Sequence, residues 1–420
     1  MRNITVNDVS SRGNEILVNF TTDIPGVFRD KTFYMAYRQD VSSVPAGIAV
    51  IPFLANVLPI VWLTDAELVL DELDHDFYHS IEKLKRSYAE MYPMLHFGGK
   101  VTVGRVLEHR TDGRQAGLFF SGGVDATSSL IEGREQKPHL IISWGGDVPM
   151  TSVQAWEKVE NHVKNIAADF GVPYTVMKTN NKIFVDEGFL GEMVSTSGNK
   201  WWFGFQHGIG TIGQAAPYAY LEGINRLYMA SSYTAEMRQS CASHPTIDSN
   251  IKFCGVSTVH HQYELNRQMK VQNICRYGKV KLRVCWLSSK GDNCCRCEKC
   301  YRTIAGLWAE NANPADYGLA VPAGFHRKII RDLTTKIVVA EIAKCFWNEV
   351  RQRFIQNQEQ VTEKEFLRWI VQTNIDDINN SAYKRFKRSA FYHYQKRFFK
   401  KATGILSRAL GANGAAMRPR

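Results

Sequence analysis

Phe120-Ser121-Gly122-Gly123-Val124-Asp125-Ala126-Thr127-Ser128-Ser129 follows directly on the apolar run Gly117-Leu118-Phe119. Two glycines behind a buried strand let the backbone turn tightly and present consecutive N–H groups at the start of a helix. Such a turn holds phosphate through amide donors and the helix dipole. Ser121, Thr127 and Ser128 add hydroxyl donors, Val124 lies between them, and Asp125 is placed either to hold Mg²⁺ or to orient the loop. The plainer alternative is an ordinary strand-to-helix turn with an acidic residue near its N-cap. The stretch is not a Walker loop, because no Gly-Lys-Ser/Thr follows, and it lacks the third glycine of a dinucleotide-binding turn.

Outward from this turn the sequence predicts alternating strand and helix. A helix begins near residue 126, and His139-Leu140-Ile141-Ile142-Ser143-Trp144 reads as a second strand. Residues 152–170 read as a helix closed by Gly171-Val172-Pro173, and 174–177 as a third strand. These lengths imply a parallel sheet covered by helices, an α/β class that places ligands at the carboxyl ends of its strands.

Residues 1–110 read as a small α+β domain, with short apolar runs at 16–20, 33–37 and 60–62 and a helix near 77–91. The polar loop Arg110-Thr111-Asp112-Gly113-Arg114 marks its expected boundary, and the core domain then spans 111–310. Residues 311–420 read as helical. Thr362-Glu363-Lys364-Glu365 forms a capping box there, and a last amphipathic helix covers 383–410. The uncharged stretch 46–63 mimics a membrane span, but Pro52 and Pro59 argue for two short buried strands joined by a turn.

Lys and Arg number 52 against 41 Asp and Glu, a net charge of +11. Residues 381–420 hold eleven basic and no acidic residues, so the whole surplus sits in the tail. The body is therefore not a nucleic-acid surface by composition; the tail either stays solvated or docks an acidic protein, RNA or an anionic surface. No apolar signal segment opens the chain, which with nine cysteines points to a reducing, cytoplasmic setting.

Cys285, Cys294, Cys297 and Cys300 form a C-x8-C-x2-C-x2-C array. Cys-x2-Cys turns two thiolates towards one point, and four thiolates fill a tetrahedral Zn²⁺ with no position left for water, so the expected zinc is structural. A disulfide or free thiols are the alternatives. Cys295 reads as a spectator, and Cys241, Cys254, Cys275 and Cys345 as small core residues.

The Ser-Gly-Gly-x-Asp turn after a strand resembles the signature of the PP-loop ATP pyrophosphatases, except that Ala126 stands where the family usually has Ser. Together with the four-cysteine array about 160 residues later, it resembles the 7-cyano-7-deazaguanine synthase family of the queuosine pathway. The likeness covers about residues 117–310. It implies a PP-loop fold that binds ATP with Mg²⁺, adenylates a carboxylate such as 7-carboxy-7-deazaguanine, releases pyrophosphate and passes the acyl group to a nitrogen nucleophile, giving an amide or a nitrile.

The resemblance also assigns roles. Ser121, Gly122, Gly123, Val124, Asp125, Thr127 and Ser128 would hold the phosphates. Trp144 would contact adenine or simply be core. His207, beside Gly208 in Phe205-Gln206-His207-Gly208-Ile209-Gly210, would orient ATP or act as acid/base, or be structural. Asp248, in Ser243-His244-Pro245-Thr246-Ile247-Asp248, would read a purine-like edge or close an Asx-turn.

Long relatives occur in bacterial anti-phage operons and surface-polysaccharide clusters, which implies a protein acceptor or operon partner as one alternative and a homodimer as another. A tRNA-modifying enzyme, a polysaccharide amidotransferase and a non-catalytic nucleotide-binding scaffold stay open. Arg2 follows Met1, so no N-terminal cysteine is offered for a built-in glutaminase.

Overall fold

The computed structural model describes residues 2–285, 291–381 and 384. The chain divides into two compact units, Met1–Cys294 with Ala315–Leu319, and Cys295–Pro314 with Ala320–Arg420. The expected boundaries at 110 and 310 are not the points of division. The helix expected over 383–410 lies, but for Lys384, outside the described residues.

The first unit is an α/β unit built on one sheet of eleven strands. In chain order these are β1 (Arg2–Arg12), β2 (Glu15–Thr22), β3 (Thr32–Ala36), β4 (Ala66–Asp74), β5 (Lys100–Leu107) and β6 (Gln115–Phe119). There follow β7 (His139–Trp144), β8 (Tyr174–Thr179), β9 (Ile224–Ala230), β10 (Lys252–Phe253) and β11 (Val256–His261). Their order across the sheet is β10-β11-β9-β6-β7-β8-β3-β2-β1-β4-β5. The block β11-β9-β6-β7-β8 is parallel throughout. Ala116-Gly117-Leu118-Phe119 and His139-Leu140-Ile141-Ile142 are buried without alternation, as strands covered on both faces must be.

The N-terminal strands are not a separate sheet. β3 joins β8 antiparallel through Met35↔Thr179 and Ala36↔Lys178, so β1–β5 extend the parallel block. Short apolar runs report local strand propensity, whereas their sheet partner lies some 140 residues away and has no local signature.

The stretch 46–63 departs from the expected pair of strands. It forms helices Ala46–Ala49 and Ile51–Leu63. Pro52 sits in the first helical turn, where its missing N–H costs nothing. Pro59 is internal and forfeits one backbone bond, about 3 kcal/mol. Residues 51–62 are all buried, and burying several large apolar side chains at about 1.5–3 kcal/mol each outweighs that loss. Among the described residues no helix is long and apolar enough to cross a membrane.

The second unit's described residues are helical, with helices Glu298–Ala309, Phe325–Thr335, Glu341–Gln356 and Lys364–Gln372. The expected capping box does not form. Glu363 occupies the N-cap without a side-chain cap bond, because Glu365 is turned to His326 Nε2 at 2.9 Å and Arg327 Nε at 3.3 Å. Charge-assisted bonds to two basic partners outcompete one neutral amide.

Candidate functional site

β6 lies between β7 and β9, so the chain leaves β6 to one side and later returns to the other. The loop after β6 therefore sits at a topological switch point, where open α/β sheets bind ligands. Phe120 N donates to Ile141 O at 2.9 Å and closes the strand. Gly122 then takes φ +81°, and a Cβ built on it would lie 2.4 Å from His162 Nε2, so conformation and space both demand glycine. Gly123 is the N-cap of helix Val124–Gly133, with Thr127 N donating to Gly123 O at 2.9 Å.

One further bond orients the turn. Arg283 N donates to Gly122 O at 2.7 Å. Since a trans peptide points its C=O and the following N–H in opposite directions, the Gly123 N–H faces away from that contact. Burial pushes the His162 imidazole down to about 4, with the nearby Arg283 charge acting the same way, so the ring behind Gly122 is neutral.

Asp125, in the first helical turn, is held by cations. Arg267 Nη2 lies 2.7 Å from Oδ2, Lys270 Nζ 3.7 Å from Oδ1, and Ser232 Oγ donates to Oδ2 at 3.1 Å. Lys270 is 1 % exposed and also donates to Ser231 O at 2.5 Å. These contacts join the segments after β6, β9 and β11 around Asp125. Thr127 and Ser128 are fully buried, and among the described residues their hydroxyls have no hydrogen-bond partner. They lie behind the loop rather than at its surface, while Ser121 is exposed.

Sequence reading missed Arg267 and Lys270. A signal was present: Asn266 caps helix Arg267–Tyr277, and two basic residues in its first turns oppose the helix dipole. Cations in that place are favoured only where a negative charge faces them.

Of the remaining expected residues only Trp144 ends a strand; His207, Gly208 and Asp248 lie in helices. Trp144, half-buried at the end of β7, stacks on Trp156 at 5.2 Å between ring centres, donates through Nε1 to Pro149 O, and has Lys178 Nζ 5.0 Å from its ring centre. His207 opens helix His207–Gly213 after the π-turn Trp202–Gln206 and meets Trp202 edge-on at 5.3 Å. Gly208 is a packing glycine, since a Cβ there would lie 1.9 Å from Ala242 O.

Asp248 is completely buried, accepting from Ser243 Oγ at 2.9 Å and paired with His260 Nδ1 at 2.7 Å. Its backbone N–H donates to His244 O at 2.8 Å, and His244 lines a cleft of about 350 Å³ together with Glu90, Arg238, Gln239 and Tyr263. Cys241 and Cys254 are buried, and burial pushes the Cys241 thiol up to about 12 and the Cys254 thiol higher still. Activated thiols need the opposite shift.

The donor sulfurs of Cys285, Cys294, Cys297 and Cys300 all lie within 4.8 Å of one another. Four thiolates at that spacing match a tetrahedral ion with sulfur bonds near 2.3 Å, so the group can hold a metal such as zinc. Asn293 fixes the approach, accepting from Val284 N at 2.9 Å and Cys285 N at 3.3 Å. Cys295, at φ +46°, is outside the group.

Comparison with protein-family models, with curated proteins and with solved structures finds no match to this chain.

Proposed function

We propose that the chain is an ATP pyrophosphatase of the PP-loop type, which activates a carboxylate as its acyl adenylate and transfers the acyl group to nitrogen. The observation that carries this reading is the glycine turn at the switch point, with Asp125, Arg267 and Lys270 gathered beside it. Two cations at amide donors of a helix N-terminus suit a polyphosphate leaving group.

In the proposed reaction a carboxylate oxygen attacks the α-phosphorus of ATP, and the bond to the bridging oxygen of pyrophosphate breaks. The loop amides, Arg267 and Lys270 hold the charge that develops on pyrophosphate, and Asp125 keeps both cations in place. Mg²⁺ would neutralise the phosphates. A nitrogen nucleophile then attacks the acyl carbon, AMP departs and an amide forms; a second activation of that amide would give a nitrile. The carboxylate proposed is 7-carboxy-7-deazaguanine or a relative, with ammonia or an amine of a partner protein as acceptor. The cysteine group would carry structural zinc. A tRNA thiolase would need an activated cysteine pair, and the elevated Cys241 and Cys254 thiols argue against it.

The test is release of pyrophosphate and AMP from purified protein with MgATP, with and without 7-carboxy-7-deazaguanine. Release that depends on this compound supports the reading in full. Release only with another carboxylate keeps the adenylation and discards the deazaguanine. No release with any carboxylate, partner or full metal content overturns it in favour of a nucleotide-binding scaffold.

A further inference from the structure

Arg283 stands beside the glycine turn, and among the described residues it forms no ion pair. Its Nη1 is 3.5 Å from Ser121 O, its Nε donates to Gly291 O at 3.0 Å, and its backbone N–H holds Gly122 O. Asp147, the Cys285 thiolate and Asp292 are close enough to act on its charge, but Asp292 is engaged by Lys158 and Cys285 belongs to the cysteine group. Among the described residues no carboxylate reaches ion-pair distance of the guanidinium. Arg267 and Lys270, across the loop, both meet Asp125. Among the described residues the three cations beside the turn make ion pairs only with Asp125. A half-buried guanidinium with no anion at ion-pair distance can accept one, and its planar fork matches phosphate oxygens.

The position of Arg283 is set from both sides. Gly122 O holds its backbone N–H. Asn293 holds the segment around it, donating through Nδ2 to Leu282 O at 2.8 Å and Gly318 O at 2.9 Å while accepting from Val284 and Cys285. Cys285 is also the first member of the cysteine group. We propose that Arg283 is a phosphate-binding residue of the loop, and that Asn293 and Cys285 hold it there, so that metal occupancy and polyphosphate affinity are linked. This rests on reading 120–129 as a phosphate loop. The ligand class is a polyphosphate, whether the chain of a nucleotide or free pyrophosphate.

The full-length, zinc-loaded protein is titrated calorimetrically with MgATP and, separately, with magnesium pyrophosphate, as wild type, Arg283→Gln, Arg283→Lys and Arg267→Gln. Arg283→Gln is expected to bind about ten- to a hundredfold more weakly, the range for a lost charge-assisted contact. Zinc content should be unchanged, and Arg283→Lys should recover part of the loss. Chelation should weaken the wild type and add little to Arg283→Gln. Loss with both probes assigns the contact to the pyrophosphate end, and loss with MgATP alone to the α-phosphate; either supports the proposal.

Arg283→Gln binding like wild type while Arg267→Gln binds weakly overturns the proposal and leaves the phosphate loop standing. A wild type that binds neither probe removes both. Should Arg283→Gln not fold, modification of wild-type Arg283 by phenylglyoxal, mapped by mass spectrometry, decides: pyrophosphate must protect it, and equal labelling with and without pyrophosphate refutes the assignment.

Discussion

Replacing Gly122 by alanine tests whether the turn is built as described. The residue sits at φ +81°, which costs an L-residue about 1–2 kcal/mol. The new Cβ would lie 2.4 Å from His162 Nε2 and 3.2 Å from Arg283 Cβ. Moving away from one brings it against the other, so an overpacking penalty of about 1–3 kcal/mol is added. Gly122→Ala should therefore lose roughly 2–5 kcal/mol. Made in a His162→Ala background it should lose only the conformational part, about 1–2 kcal/mol. Urea unfolding of the four proteins of this cycle measures the difference, which is the coupling between the two positions. An equal penalty in both backgrounds would show that His162 does not floor the turn. No penalty at all would refute the left-handed conformation.

Three further outcomes follow from named contacts. Asp125→Ala leaves Lys270 and Arg267 without their shared carboxylate, so stability should fall by about 3–5 kcal/mol; pyrophosphate should restore part of it in a thermal melt, and a variant as stable as wild type would dismiss the cluster. His162 is held neutral with its value lowered to about 4. The unfolded chain takes up its proton first, so this residue's contribution is present above about pH 6.5, is lost as pH falls towards 4, and should vanish from the pH profile in His162→Gln. The cysteine group should bind one metal ion per chain by elemental analysis, and Cys294→Ser or Cys300→Ser should abolish it; full metal content in both variants would reject the four-sulfur assignment.

Strands β6, β7 and β8 and the helices between them were legible because their signals are local: buried apolar runs, helical periodicity, and a glycine where the chain must turn. The cysteine group was legible for the same reason, since two-residue spacing brings thiolates together whatever surrounds them. The glycine turn was legible as a tight strand-to-helix turn, and Gly122 at φ +81° makes it.

Tertiary structure alone decided which residues surround that loop. Asp125 meets Arg267 across 142 positions of chain, and Arg283 reaches Ser121 across 162; no window of sequence contains such pairs. It also turned 51–63 into a buried helix against its prolines and ran the N-terminal strands onto β8. Finally, it buried Asp248 and paired its Oδ2 with His260. Propensity and spacing describe what a segment can be when its neighbours are its own sequence. Burial, counter-charge and sheet pairing are set by neighbours that only the folded chain brings within reach.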